Sequence, residues 1–95
     1  MAHYVAIVED AGPDFAVGIW FPDLPGCFSA GDTVDEATRN ARDAIAVYAE
    51  SLADQGRALP APRRLNEIKA DPAWKADLDH FLVALVESPL EQQAA

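Results

Sequence analysis

The chain opens with an apolar run, Tyr4-Val5-Ala6-Ile7-Val8, in which neither of two alternating faces is polar. A second run, Phe15 to Phe21, alternates more clearly. Phe15, Val17, Ile19 and Phe21 share one face, and Ala16, Gly18 and Trp20 the other. Glu9-Asp10-Ala11-Gly12-Pro13-Asp14 separates them with the Gly, Pro and Asp of a turn. The pattern predicts a hairpin whose first strand is central and covered on both faces. Pro22-Asp23-Leu24-Pro25-Gly26 cannot continue a ladder, since two prolines remove donors within five residues. Cys27-Phe28-Ser29-Ala30 then reads as a short third strand, with Leu24 and Phe28 directed into the core.

Next the period changes. Val34, Ala37, Ala41, Ile45, Tyr48 and Leu52 recur at three- and four-residue spacing, which predicts a helix from Val34 to about Gln55. Thr33 with Glu36 has the spacing of a capping box, and Gly56 suits a left-handed helix end. Leu59-Pro60-Ala61-Pro62 is a stiff, extended linker. Leu65 to Ala70 suggests a short helix, and Asp71-Pro72 the start of a further helical turn. Phe81 to Val86 is continuously apolar, and its short length and β-branched content favour a buried strand.

These elements predict an α+β fold: a small two-layer sandwich in the order β-β-β-α-β. Its antiparallel-rich sheet of about three to four strands packs against one main helix. With 95 residues, one domain spanning residues 1–95 is expected. No apolar run approaches the length needed to span a bilayer, and no signal peptide is visible. The lone Cys27 fits a reducing compartment, so a cytoplasmic location without membrane contact is expected.

Charge narrows the class. Sixteen acids face seven Lys and Arg, a net charge of −9. Residues 1–33 hold Glu9, Asp10, Asp14, Asp23 and Asp32 and no Lys or Arg. A nucleic-acid binder presents a basic patch, and Arg63-Arg64 is only a pair, so direct nucleic-acid binding is not expected. The excess of acid supports solubility and also suits a basic partner.

No catalytic apparatus is expected. His3 and His80 lie at predicted strand ends with no Cys or His at metal-ligand spacing. There is no nucleophile elbow and no phosphate-cradling glycine loop. Cys27 reads as a small buried hydrophobe rather than a reactive thiol. Asp10, Asp14, Asp23 and Asp32 sit near strand ends and raise the alternative of a divalent-metal site, although loop aspartates are common for turn reasons alone. The expectation is therefore no enzyme, no metal and no cofactor.

Phe21-Pro22-Asp23-Leu24-Pro25-Gly26-Cys27, followed by Gly31-Asp32-Thr33 and an Ala-rich helix, resembles the HicB-like antitoxin family. The Tyr-containing first strand, the Leu59-Pro60-Ala61-Pro62 segment and the late apolar strand extend the likeness over most of residues 3–87. The resemblance implies a partial ribonuclease-H-like fold. It further implies a partner, a HicA toxin: a small, basic, mRNA-cleaving ribonuclease whose active site the antitoxin covers. Many members add a C-terminal DNA-binding module. Only about eight residues follow the last apolar run, so no such module is expected in this chain.

The sequence thus predicts a HicB-like antitoxin that binds and covers a HicA-type toxin. The alternative is a stand-alone homo-oligomeric interaction module with no toxin, and a dimer or higher oligomer is expected in either case. Expected partner contacts are Glu9, Asp10, Asp14, Trp20 and Asp23. Phe21, Pro22, Asp23, Leu24, Pro25, Gly26, Cys27, Gly31, Asp32 and Thr33 form the family motif, whose prolines and glycines point to a structural role.

Overall fold

The computed structural model describes residues 2–89. Strands β1 (His3–Glu9), β2 (Val17–Trp20) and β3 (Phe28–Gly31) precede helix α1 (Val34–Asp54). Two short helices, α2 (Leu65–Lys69) and α3 (Lys75–His80), lead into strand β4 (Leu82–Glu87). The strands form one antiparallel sheet in the order β3-β2-β1-β4. β1 is interior, as its apolar run requires, and Tyr4 through Val8 are all buried.

Alternation along the strands divides that burial between two faces. Tyr4, Ala6 and Val8 join Val17, Ile19 and Val86 against Ala37, Ala41 and Ile45 of α1. The small Ala side chains let the helix lie close to the sheet. At Gly31 the approach is closest: a Cβ there would stand 2.6 Å from the backbone nitrogen of Ala37. Thr33 caps α1 by accepting the Glu36 N–H at 3.1 Å. At the other end Gly56 adopts φ +71°, and the N–H groups of Gly56 and Arg57 bond the carbonyls of Ala53 and Leu52 at 2.9 and 2.8 Å. This double bond pattern satisfies carbonyls the helix would leave open.

Val5 and Ile7 point the other way and pack on Ile68 of α2 and Leu78 of α3, beside Trp20, Trp74 and Phe81. A small third layer therefore supplements the sheet and main helix, over β1 and its neighbours. Five- and six-residue helices are too short to show a periodic stripe, so this cover is hard to read from spacing.

Three local features differ from the pattern-based expectation. Phe15 is 64% exposed, because its N–H closes a turn onto the Gly12 carbonyl at 3.1 Å and β2 starts only at Val17. Phe28 is 72% exposed. It pairs with Trp20, which places it on the face away from α1 and beyond the buried cluster of α2 and α3. β4 starts at Leu82 because the Phe81 N–H still bonds the Asp77 carbonyl of α3, at 2.9 Å. Among the described residues no helix is long and apolar enough to cross a membrane.

Candidate partner-binding site

The antiparallel register sorts the carboxylates by the end of the sheet at which they emerge. Glu9 pairs with Gly18, Gly18 with Ala30, and Val17 with Gly31. The loop carrying Asp10 and Asp14 and the corner carrying Asp32 therefore leave the sheet together. Asp35 and Glu36 follow in the first turn of α1, where they complement the helix dipole. No hydrogen bond or ion pair within the described residues holds the side chains of Glu9, Asp10, Asp14 or Asp32. The first Lys or Arg in the chain is Arg39, so the strands and loops up to Asp32 supply no positive charge of their own to this end.

An uncovered stretch of sheet adjoins it. On the face away from α1, Glu9, Gly18 and Ala30 form one cross-strand line, and Ile7, Trp20 and Phe28 the next. No atom lies within 4 Å of where a Gly18 Cβ would be, so this floor is open. Trp20 is half-buried, its indole edge-on to Phe81 with ring centroids 5.2 Å apart. The result is a shallow apolar strip, floored by Gly18 and Ala30, flanked by Phe28 and rimmed by carboxylates.

Asp23 lies at the opposite end of β2 and is already engaged. Its side chain is 6% exposed. Its Oδ2 accepts the Arg63 backbone N–H at 2.7 Å, and its Oδ1 accepts Arg63 Nε at 2.7 Å. Arg63 Nη1 also donates to Asp71 Oδ2 at 3.1 Å, while Asp71 Oδ1 accepts the Ala73 N–H at 2.9 Å. The hydrogen bonds to Asp23 and Asp71 raise the Arg63 guanidinium above its ordinary value. The Ala73 N–H, then Arg63, hold the Asp71 carboxyl below its own. Close by, Tyr4 donates its hydroxyl to the Pro60 carbonyl at 2.6 Å. Burial, then the Asp23 charge, push that phenol up.

The Phe21–Cys27 segment is folded by its own turns. Leu24 N–H bonds the Phe21 carbonyl at 3.3 Å and Cys27 N–H bonds the Leu24 carbonyl at 3.0 Å. Gly26 adopts φ +85°, a conformation that a side chain would strain. Phe21, Leu24 and Cys27 are buried, while Pro25 and Gly26 face solvent. Burial pushes the Cys27 thiol up to about 11, which suppresses the nucleophilic thiolate.

The four aspartates of the metal alternative do not converge, since Asp23 is at the far end from Asp10, Asp14 and Asp32. Among the described residues no three His, Cys, Asp or Glu side chains group as a metal site. His3 Nε2 lies 3.5 Å from Glu87 Oε2, and His80 packs edge-on to Phe81 with centroids 4.7 Å apart. Of the expected contacts, the register brings Glu9, Asp10, Asp14 and Trp20 to one region and leaves Asp23 in another. Sequence reasoning missed Arg63, whose partner is 40 positions away, and the outward aspect of Phe28. The Trp20–Phe28 cross-strand pairing carries the Phe28 signal, and it requires the register to be known.

The sequence model for the HicB_like antitoxin of bacterial toxin-antitoxin systems matches residues 4–95. A 14.9 kDa protein from the rep-hol intergenic region of Haemophilus phage HP1 is 33% identical over 87 residues, covering 92% of this chain and 61% of its own length. The antitoxin HicB of Burkholderia pseudomallei superposes with a TM-score of 0.74 at 28% identity, over 95% of this chain and 65% of that one. A chain of a HicA3 and HicB3 toxin-antitoxin complex gives a TM-score of 0.71 at 29% identity, over 93% of this chain and 99% of that one. The chain thus spans less than two thirds of the phage protein and of the Burkholderia antitoxin. On the match from Tyr4 to the last residue, and on a sheet and helix shared with solved HicB antitoxins, this chain belongs to the HicB-like antitoxin family.

Proposed function

We propose that the protein is a non-catalytic, cytoplasmic antitoxin that binds and covers a basic HicA-type mRNA-cleaving toxin. The observation that carries this reading is the segregation of charge: unpaired carboxylates gather at one end of the sheet, beside the open Gly18–Ala30 floor. Such an end attracts a cationic protein, and the adjoining Trp20 and Phe28 supply apolar contact once it docks. Glu9, Asp10, Asp14 and Trp20 form the contact set, with Phe28 added. Asp23 supports the site through the fold, since its carboxylate is occupied by Arg63.

The test mixes the full chain with a HicA-type ribonuclease from the same genome and follows RNA cleavage. Stoichiometric inhibition and a stable complex are expected. Reversing charge with E9K/D10K/D14K should slow association by about tenfold or more at low salt, with the difference shrinking as salt screens it. An unchanged association rate removes this contact set. Absence of both inhibition and complex removes the antitoxin reading and leaves the homo-oligomeric module without a toxin.

A further inference from the structure

The sheet face away from α1 is unevenly covered. Over Val5 and Ile7 it carries Ile68 and Leu78, with Trp74 and Phe81 beside them. Beyond Trp20 the cover stops. Phe28 is exposed, and so are Ala30 and Glu9. No atom of Trp20, Phe28 or Glu9 comes within 4 Å of a Gly18 Cβ position, so none of these side chains folds over the floor.

Register gives the dimensions. Gly18 lies between Glu9 and Ala30 across the strands, and Trp20 and Phe28 form the next line on the same face. Adjacent strands stand about 4.8 Å apart, and two residues along a strand span about 7 Å. A group resting on Gly18 is therefore about 5–8 Å from the backbones of Glu9, Trp20 and Phe28, within reach of all three side chains.

The walls are held open. Trp20 packs edge-on to Phe81, which precedes β4 on the far side of β1, so this contact draws the indole away from Phe28. At the sheet edge the Ala30 carbonyl accepts Asn40 Nδ2 at 2.9 Å. That carbonyl is taken, and β3 does not accept an added strand there. A partner reaches the floor from above, with a side chain.

The chemistry of the floor selects that side chain. Gly18 and Ala30 leave depth for a flat group, Phe28 offers an uncovered ring, and the Glu9 carboxylate has no partner among the described residues. A neutral apolar side chain would leave Glu9 buried and unmatched. A nucleic-acid base would stack on the rings, but its phosphates would meet Asp10, Asp14 and Asp32. A lysine matches the charge but keeps its tight hydration, whereas a guanidinium is flat, weakly hydrated, stacks on aromatic rings and pairs with a carboxylate.

We propose that this floor receives one arginine side chain of the basic toxin, its guanidinium set against Phe28 and Trp20 and paired with Glu9. The source of the arginine follows from the antitoxin reading above, whereas the preference for arginine is a property of this chain alone. The acidic loop attracts any cation, and the floor distinguishes arginine from lysine.

The preference is tested by nuclear magnetic resonance, titrating the full chain with penta-arginine amide and with penta-lysine amide at about 150 mM salt, where long-range attraction is screened. Penta-arginine should shift the Gly18 and Ala30 amides and the Trp20 indole saturably, and bind about threefold or more tightly than penta-lysine. Phe28→Leu keeps an apolar side chain but loses the ring. With an unchanged circular dichroism spectrum, it should remove the preference. Glu9→Gln should weaken penta-arginine more than penta-lysine, and Glu50→Gln, exposed on α1, should leave both unchanged. Equal affinities for the two peptides, a preference that survives Phe28→Leu, or shifts that leave Gly18 and Trp20 unmoved would overturn the proposal. A HicA-type ribonuclease from the same genome then separates this site from the antitoxin reading. Phe28→Leu should speed dissociation from it by about threefold or more. Inhibition with unchanged dissociation in Phe28→Leu keeps the antitoxin and overturns the arginine site. An arginine preference without inhibition or complex overturns the toxin as the source of the arginine.

Discussion

Asp10 and Asp23 are both loop aspartates just beyond a strand, and the molecule uses them in opposite ways. Asp23 is nearly enclosed, and Arg63 meets both of its carboxylate oxygens. Asp10 is exposed and its side chain bonds nothing among the described residues. The difference comes from what each loop meets. The chain after β2 folds back under the Pro60–Arg63 segment, which delivers a backbone N–H and a guanidinium together. The chain after β1 makes a turn whose residues 10 and 11 are exposed among the described residues. A buried carboxylate has to be matched to be tolerated, whereas an exposed one is hydrated at little cost and stays available to a partner. One end of the sheet thus has its carboxylate matched within the fold, while the carboxylates at the other end are left to solvent.

The largest effect that would break this comparison is at the committed end. Asp23→Ala leaves the Arg63 backbone N–H and Nε–H without their acceptor, while Nη1 keeps Asp71. Because Arg63 is partly solvated and water replaces some of the loss, the expected cost is about 2–3 kcal/mol, read from urea unfolding. A change below about 0.5 kcal/mol would show that the clasp is ornamental, since that is the range of ordinary surface substitutions.

A smaller effect lies in the acid limb. The folded-state carboxyl of Asp71 is held below its ordinary value by the Ala73 N–H and by Arg63. Its contribution is therefore complete above the unfolded carboxylate value, about 3.9, and is lost as pH falls through the lower folded value. Asp71→Asn should flatten stability against pH below about 4 relative to the parent chain, without changing the alkaline side. An identical acid limb in the two proteins would separate Asp71 from the clasp.

The smallest effect on stability is expected at the open end. E9K/D10K/D14K should alter unfolding free energy by no more than about 0.5 kcal/mol, because no folded-state contact is lost. A large stability change would show that these carboxylates also serve the fold.

Much of the architecture was legible in the residues. The two-faced apolar run at Tyr4–Val8 implied an interior strand, and β1 is interior. The Ala-rich stripe, Thr33 and Gly56 marked α1 to within about a residue, because caps and helical period are local properties. The motif Phe21–Cys27 pointed to the family, and the match over residues 4–95 shows it. The acidic imbalance of the first third of the chain was equally plain. Less legible were Phe15 and Phe28, whose apolar character suggested burial. A turn bond from Phe15 to Gly12 removes one from the strand, and pairing with Trp20 turns the other to the open face.

What the sequence determined by itself was therefore the set of elements, their local ends and the family, since each depends on neighbours a few positions away. Tertiary structure alone decided which carboxylates are free and which are consumed. Asp23 and Arg63 stand 40 positions apart, and nothing in the spacing of either predicts the other. Register likewise placed Glu9, Asp14 and Asp32 at one end and set Trp20 opposite Phe28 on the open face. Chain closure over such distances is set by how the whole sheet and its covering segments pack, and it cannot be read from any one window of residues.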